Sequence, residues 1–177
     1  EELKRHTEAL GQVFGHEEDA EKLIADFDAA AERAKKAYDP EQKVMAVNTS
    51  GGEIGYIAPG IGRTYGPIFD LLGLEPALEV DNASDDHEGD DISVEAIAES
   101  NPDWLLVIDR DSAISKEGEQ VTPGEKLVKD NAALKNVSAV KNGNVYVAPQ
   151  DTYIDESIIN YTEILNALAD AFDKANA

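Results

Sequence analysis

NPDWLLVIDRD, residues 101–111, joins a turn, an apolar strand and a charged exit in one short stretch. Pro102 and Asp103 interrupt whatever precedes them. Trp104 to Ile108 is then an unbroken apolar run containing β-branched residues, the composition of a strand buried on both faces. Such strands belong to parallel sheets, and ligands of open α/β sheets sit beyond the carboxyl ends of the strands. Arg110, two residues past the run, therefore stands where a ligand-facing cation is expected.

On either side of this stretch the pattern alternates between helix and strand. Leu3, Leu10, Val13 and Phe14 predict a helix closed by Gly15. Ala20, Leu23, Ile24, Phe27, Ala31, Ala34 and Tyr38 recur at spacings of three and four, with acids in the first turn, bases in the last and Pro40 beyond. They predict a helix of about twenty residues, roughly 30 Å long. Val44–Val47 and Ile54–Ile57 read as strands flanking a turn at 48–52. A glycine-rich loop with Arg63 leads into a helix over 65–72 closed by Gly73, and Leu78–Val80 reads as a brief strand. Residues 81–91 form a polar, acidic loop around His87. Ser93 is a helix N-cap. Asp109–Val121 reads as a loop, and Thr122, Pro123 and Glu125 as a capping box with proline at the first helical position. Asn142-Gly143 reads as a turn, Val145–Ala148 as a strand and 149–156 as a loop after it. Ile158, Tyr161, Leu165, Leu168 and Phe172 fall on one face of a last helix. The fold class is α/β, a three-layer α/β/α sandwich with a central, mostly parallel sheet preceded by a long helix. Residues 1–39 read as a helical segment ending in that long helix, and 40–177 as the α/β lobe.

The 15 Lys and Arg against 37 Asp and Glu leave a formal charge of -22, so there is no basic stripe to neutralise phosphates and nucleic acid is excluded as a partner. With no cysteine, disulfides, thiolate metal sites and thiol nucleophiles are excluded together. No apolar run is long enough to span a membrane. The first residues, EELKRHTEAL, lack Met and start inside a helical pattern, which reads as a processed or trimmed fragment.

Of the four arginines, Arg63 and Arg110 lie in loops beside apolar strands. A planar guanidinium matches the paired oxygens of a carboxylate or catecholate, but surface salt bridges with Asp70, Asp109 or Asp111 account for the same residues. Gly60-Ile61-Gly62 starts a dinucleotide fingerprint that fails at Tyr65, where the third glycine belongs. His87, in DDHEGDD, suits a metal ligand, a hydrogen-bond donor or a solvated side chain; the spacing is not that of an EF-hand loop. Tyr153 suits a hard cation such as Fe(III) through its phenolate, or simply packs its ring. No GxSxG, HExxH or P-loop is present, and the enzyme-like alternative is a phosphorylation domain built on Asp109 after its strand.

Taken in order, GYIAPGIGRTYGPIFDLLG, HEGDDISVEAIAESNPDWLLVIDRD and AVKNGNVYVAPQDTYI resemble the C-terminal half of the substrate-binding proteins of iron-siderophore ABC transporters, nearest their ferric-catecholate branch. The resemblance implies two α/β lobes joined by one long helix, here Glu17 to Tyr38, so that 1–39 are the end of the N-terminal lobe with the linking helix, 40–177 are the C-terminal lobe, and the N-terminal lobe itself lies outside this chain. It implies a ferric siderophore held between the lobes as ligand, no intrinsic cofactor, no catalysis, a permease as partner, a monomer, and an extracytoplasmic location as a periplasmic protein or surface lipoprotein. It places Arg63 and Arg110 against the anionic complex and makes His87 and Tyr153 able to complete the coordination of Fe(III). Haem, a corrinoid or ferric citrate are the alternative cargoes on the same scaffold.

Overall fold

Residues 1–116 and 118–177 are described by a computed structural model, in which the chain forms two compact units, 1–38 with 155–177 and 39–154. In the first unit, α1 (Glu2–Phe14) ends at Gly15, which takes the left-handed conformation (φ 71°) that a side chain would disfavour. The second helix, α2 (Glu17–Ala37), buries the narrow stripe Ala20, Phe27, Ala30, Ala31 and Ala34.

The sheet unit starts with β1 (Lys43–Ser50) and β2 (Glu53–Ile57), an antiparallel hairpin. Its turn is shorter than the expected 48–52. Gly51 and Gly52 both have positive φ (61° and 78°), so two residues reverse the chain and β1 runs on through the buried Asn48 and Thr49. Next comes α3 (Tyr65–Leu72), as expected, closed by Gly73 at φ 68°. No strand forms at Leu78–Val80. The strand is instead β3 (Glu75–Pro76), which pairs parallel to the start of β1, with the Ala77 N–H donating to the Val44 carbonyl at 2.8 Å just beyond it. The Leu78 carbonyl accepts from the Tyr56 hydroxyl at 2.7 Å instead.

The acidic loop ends in β4 (Asp90–Asp91), antiparallel to β2. Glycines permit this approach. A Cβ on Gly55 would collide with the Glu88 carbonyl oxygen. Gly55→Ala is therefore expected to lower stability by about 1–3 kcal/mol and to speed hydrogen exchange in 86–91, as read by urea denaturation and exchange mass spectrometry.

Ser93 caps α4 (Val94–Ser100), its side chain accepting from Ala96 N at 3.1 Å. The strand β5 (Trp104–Asp109) is buried at every position and pairs parallel to β1. Two expectations fail after it. The segment read as a loop begins with a helix, α5 (Arg110–Ile114), capped by Asp109; position 117, in the same segment, lies outside the described residues. The capping box does not form either, for α6 (Gly124–Lys129) starts after Pro123 with no side-chain cap from Thr122, and Glu125 pairs with Lys129 at 2.5 Å. The Gly124 N–H donates to Asp109 Oδ2 at 2.7 Å, so one buried carboxylate serves two helix starts. After α7 (Ser138–Asn142), β6 (Val145–Val147) pairs parallel to β5. A 3₁₀ turn spans Gln150–Tyr153. The last helix, α8 (Ile158–Ala175), is capped by Ser157 and lies in the first unit, where Phe172 packs its ring 5.4 Å from that of Tyr38 and Arg33 pairs with Asp170.

The sheet order is β4-β2-β1-β5-β6 with β3 beside β1, parallel through β1, β5 and β6. Met45, Val47, Leu105 and Val107 face one side, where Ile97, Val128, Leu134 and Ala139 complete a core. Alternation turns Val44, Ala46, Leu106 and Ile108 to the other side, equally buried. The class is the expected α/β with a central, mostly parallel sheet and helices.

Two tyrosines tie this core to pH. Burial, then the charges of Glu79 and Asp90, push the Tyr56 hydroxyl up to about 12, and burial pushes Tyr65 well up. An unfolded tyrosine titrates near ~10. Above that pH the unfolded chain releases protons that the folded chain keeps, so stability is full below about pH 10 and falls as pH rises toward 12. Urea midpoints should therefore fall between pH 9 and 11, and absorbance at 295 nm should show these tyrosines ionising only with unfolding.

Candidate functional site

Because β1, β5 and β6 run parallel, their carboxyl ends open along one edge. Asn48 pairs with Ile108 across β1 and β5, and the period of two carries Ser50 and Arg110 on to the same face. The 3₁₀ turn after β6 brings Tyr153 to them.

Tyr153 is the centre of the cluster. Arg63 Nη2 donates to its carbonyl oxygen at 2.5 Å, and Arg110 Nε donates to its hydroxyl at 3.0 Å. Both guanidinium carbons also lie near its ring, Arg63 at 4.5 Å and Arg110 at 5.6 Å from the centroid, within the range of cation–π attraction. Arg110 further donates to Ser50 Oγ at 3.2 Å and pairs with Glu88 at 3.1 Å. Its pKa is pushed up, first by the bond to Tyr153 and then by the negative charges of Glu88 and Asp111, with burial opposing. Two permanent cations are thus held on one buried tyrosine in a chain of charge -22.

His87 reaches the same place by another route. Its backbone carbonyl accepts from Asn48 Nδ2 at 3.0 Å, which pins the loop over the end of β1. Its ring is 60% exposed and stands 3.7 Å from Asp86 and 3.9 Å from Glu88. Asn48, Arg63, His87, Ile108 and Tyr153 line one recess, too narrow for a water-sized sphere. Asn48 Oδ1 is buried there without a hydrogen-bond partner among the described residues. A buried acceptor left so costs about 1–3 kcal/mol, and a donor reaching it would recover part of that.

Arg63 and Arg110 therefore both touch Tyr153, while His87 shares the recess of Arg63 and Tyr153 with its ring turned largely to solvent. The ion pair expected as the alternative role of Arg110 exists, but its partner is Glu88 and not Asp109 or Asp111. Asp111 accepts from Gly51 N and Gly52 N at 2.8 and 2.9 Å, closing the hairpin turn. Asp109 faces the other side of the sheet, where Ser112 N, Ser112 Oγ, Gly124 N and Thr49 Oγ1 donate to it. A carboxylate so engaged caps the starts of α5 and α6.

Asn48, Ser50 and Glu88 escape a reading by residue type. The first two have the composition of a turn; only strand alternation carried two residues further would put them beside Arg110. Glu88 has the look of one solvated acid among many. Trp104 begins β5 and bonds Gln42, so it lies a strand length, about 17–20 Å, from Arg110. Among the described residues no group of three His, Asp or Glu side chains could hold a metal ion.

Comparison with known proteins shows the family of the chain. A periplasmic binding protein family model matches residues 1–152. The petrobactin-binding protein YclQ of Bacillus subtilis is 31% identical over 177 residues, 98% of this chain and 53% of YclQ. Its crystal structure superposes with a TM-score of 0.81 at 30% identity, over 97% of this chain and 58% of that one. The ferric-anguibactin-binding protein FatB of Vibrio anguillarum is 33% identical over 92% of this chain and 49% of FatB. The periplasmic catecholate-siderophore binding protein VctP of Vibrio cholerae superposes with a TM-score of 0.79 at 26% identity, over 96% of this chain and 58% of that one. The chain spans about half the length of the curated relatives it matches. With the matched model spanning most of its length, the chain belongs to the periplasmic binding protein family.

Proposed function

We propose that this chain supplies one wall of a solute-binding subunit that captures an anionic ferric siderophore of catecholate type between two lobes and delivers it to the permease of an ABC importer. The observation that carries the reading is the Arg63–Tyr153–Arg110 cluster at the open edge of the parallel sheet. Guanidinium groups stay charged when partly buried and fit paired oxygens, whereas an ammonium offers a point charge. The chain's net charge repels an anion at long range, but screening limits that field to about 8–10 Å, and capture rests on the local arginines. His87 and Tyr153 complete the iron's coordination where the siderophore leaves positions open, and the cargo supplies the remaining ligands. The subunit binds without chemistry, works as a monomer outside the cytoplasm as a periplasmic protein or surface lipoprotein, and takes its second wall from the family's other lobe, with Glu17–Tyr38 as the link.

The relative named for a catecholate siderophore supports this cargo class, and the one named for ferric anguibactin supports an iron-bearing cargo. Calorimetric titration with a ferric catecholate, ferric citrate and haem tests it. Saturable binding of the catecholate complex, tighter than the other two, is expected. Preference for haem or ferric citrate would reassign the cargo, and no response to any of the three would reject the reading. With one wall only, binding by this chain is expected to be weaker than micromolar.

A further inference from the structure

We infer that Glu88 is an internal competitor for the ligand: its carboxylate pairs with Arg110, and an anionic ligand must displace it to reach the guanidinium. The inference rests on the reading that Arg110 contacts the ligand.

Arg110 Nε and Nη1 are held by protein partners, Tyr153 and Ser50, which fix the plane of the guanidinium. Nη2 meets the Glu88 carboxylate at 3.1 Å. That contact is the one that presents a carboxylate oxygen where a ligand's anionic oxygen would come. The two side chains differ in freedom, since Arg110 is 20% exposed and Glu88 49% exposed. Glu88 can therefore swing into water while the arginine stays in place.

The backbone of Glu88 cannot follow. Its N–H donates to Asp86 Oδ1 at 2.8 Å, its carbonyl abuts Gly55, and Asn48 holds the preceding carbonyl. Only the side chain is released, with no loop rearrangement. Its new surroundings include the His87 ring, 3.9 Å away already.

Displacement has a selective consequence. A neutral ligand gains nothing by evicting Glu88 and leaves the ion pair intact. A ligand with anionic oxygens replaces one charge-assisted bond with another. Glu88 thus lowers affinity for every anion while rejecting ligands too weakly charged to compete, which is specificity by an opposing element.

The test uses this chain, its Glu88→Gln, Asp85→Asn and Arg110→Gln variants, and the iron(III) complex formed from ferric chloride and excess catechol, titrated by calorimetry at one pH and ionic strength. Asp85 is an exposed acid of the same loop, so Asp85→Asn removes the same charge away from Arg110. Glu88→Gln is expected to bind about 1.5-fold to fivefold tighter, the range for a partly exposed ion pair, with Asp85→Asn unchanged. Equal or weaker binding by Glu88→Gln, or the same gain in Asp85→Asn, would overturn the inference while Arg110→Gln still loses affinity. If Arg110→Gln binds as the unmodified chain does, the reading beneath it fails instead.

Discussion

Arg110→Gln is expected to weaken binding of a ferric catecholate by about 10- to 100-fold, the equivalent of losing one charge-assisted hydrogen bond of roughly 1.5–3 kcal/mol. Glutamine keeps a planar amide that can still meet Ser50 or the Tyr153 hydroxyl, so the pocket's shape is largely retained and the loss reports charge and fork geometry. Lysine in the same place should recover only part of the affinity, because an ammonium cannot hold Tyr153 and Ser50 with two fixed N–H groups while offering a third to the ligand. Calorimetry on the three proteins, with thermal melts to confirm that each is folded, checks this. Equal affinity in the unmodified chain and in Arg110→Gln would remove Arg110 from the site.

Asp109→Ala is expected to destabilise the sheet unit by about 2–4 kcal/mol, combining loss of a helix cap with the desolvation of a buried N–H left unpaired. The Gly124 N–H and the Thr49 hydroxyl lose their acceptor together. Asp109→Asn keeps one acceptor oxygen and should lose less. Trp104, the only tryptophan, lies at the far end of the same strand and its fluorescence reports the unfolding of this unit in urea. A midpoint shift in the alanine variant no larger than that of an exposed control such as Asp85→Ala would contradict the capping role. Ligand affinity should be nearly unchanged in the asparagine variant, since Asp109 and Arg110 face opposite sides of the sheet.

That segregation explains what could be read from the sequence and what could not. The apolar run of β5, the Ser93 cap, the glycine closures at 15 and 73 and the stripe of α8 are local signals whose physics acts within a few residues, and each yielded its element. The failures are tertiary. Thr122–Glu125 has the composition of a capping box, yet a carboxylate from β5 reaches the Gly124 N–H first and Glu125 pairs with Lys129. Leu78–Val80 is apolar enough for a strand, but the edge of β1 is already taken by Glu75–Pro76. Asn48 reads as a turn residue because its polarity is visible and the partner that tolerates it, the His87 carbonyl, is 39 residues away in sequence.

The site divides the same way. Arg63, His87 and Arg110 stand out because arginine and histidine are scarce in this chain, Tyr153 because it follows a strand end, and the order of the motifs around them resembles a known family. Their mutual contacts needed the fold. Glu88 is the clearest loss: in DDHEGDD it is one acid among many, and only the loop's return over β1 makes it the partner of Arg110.

The most direct test of the central claim, that Arg63 and Arg110 form the ligand-facing pair, is the arginine side-chain region of a ¹H–¹⁵N spectrum. Four arginines give four Nε–H signals, a spectrum simple enough to assign by substitution. Titration with a gallium(III) catecholate, a diamagnetic counterpart of the ferric complex, should move the Arg63 and Arg110 signals progressively while Arg5 and Arg33 stay fixed. Stationary Arg63 and Arg110 signals at saturating complex, or equal shifts in all four, would contradict it.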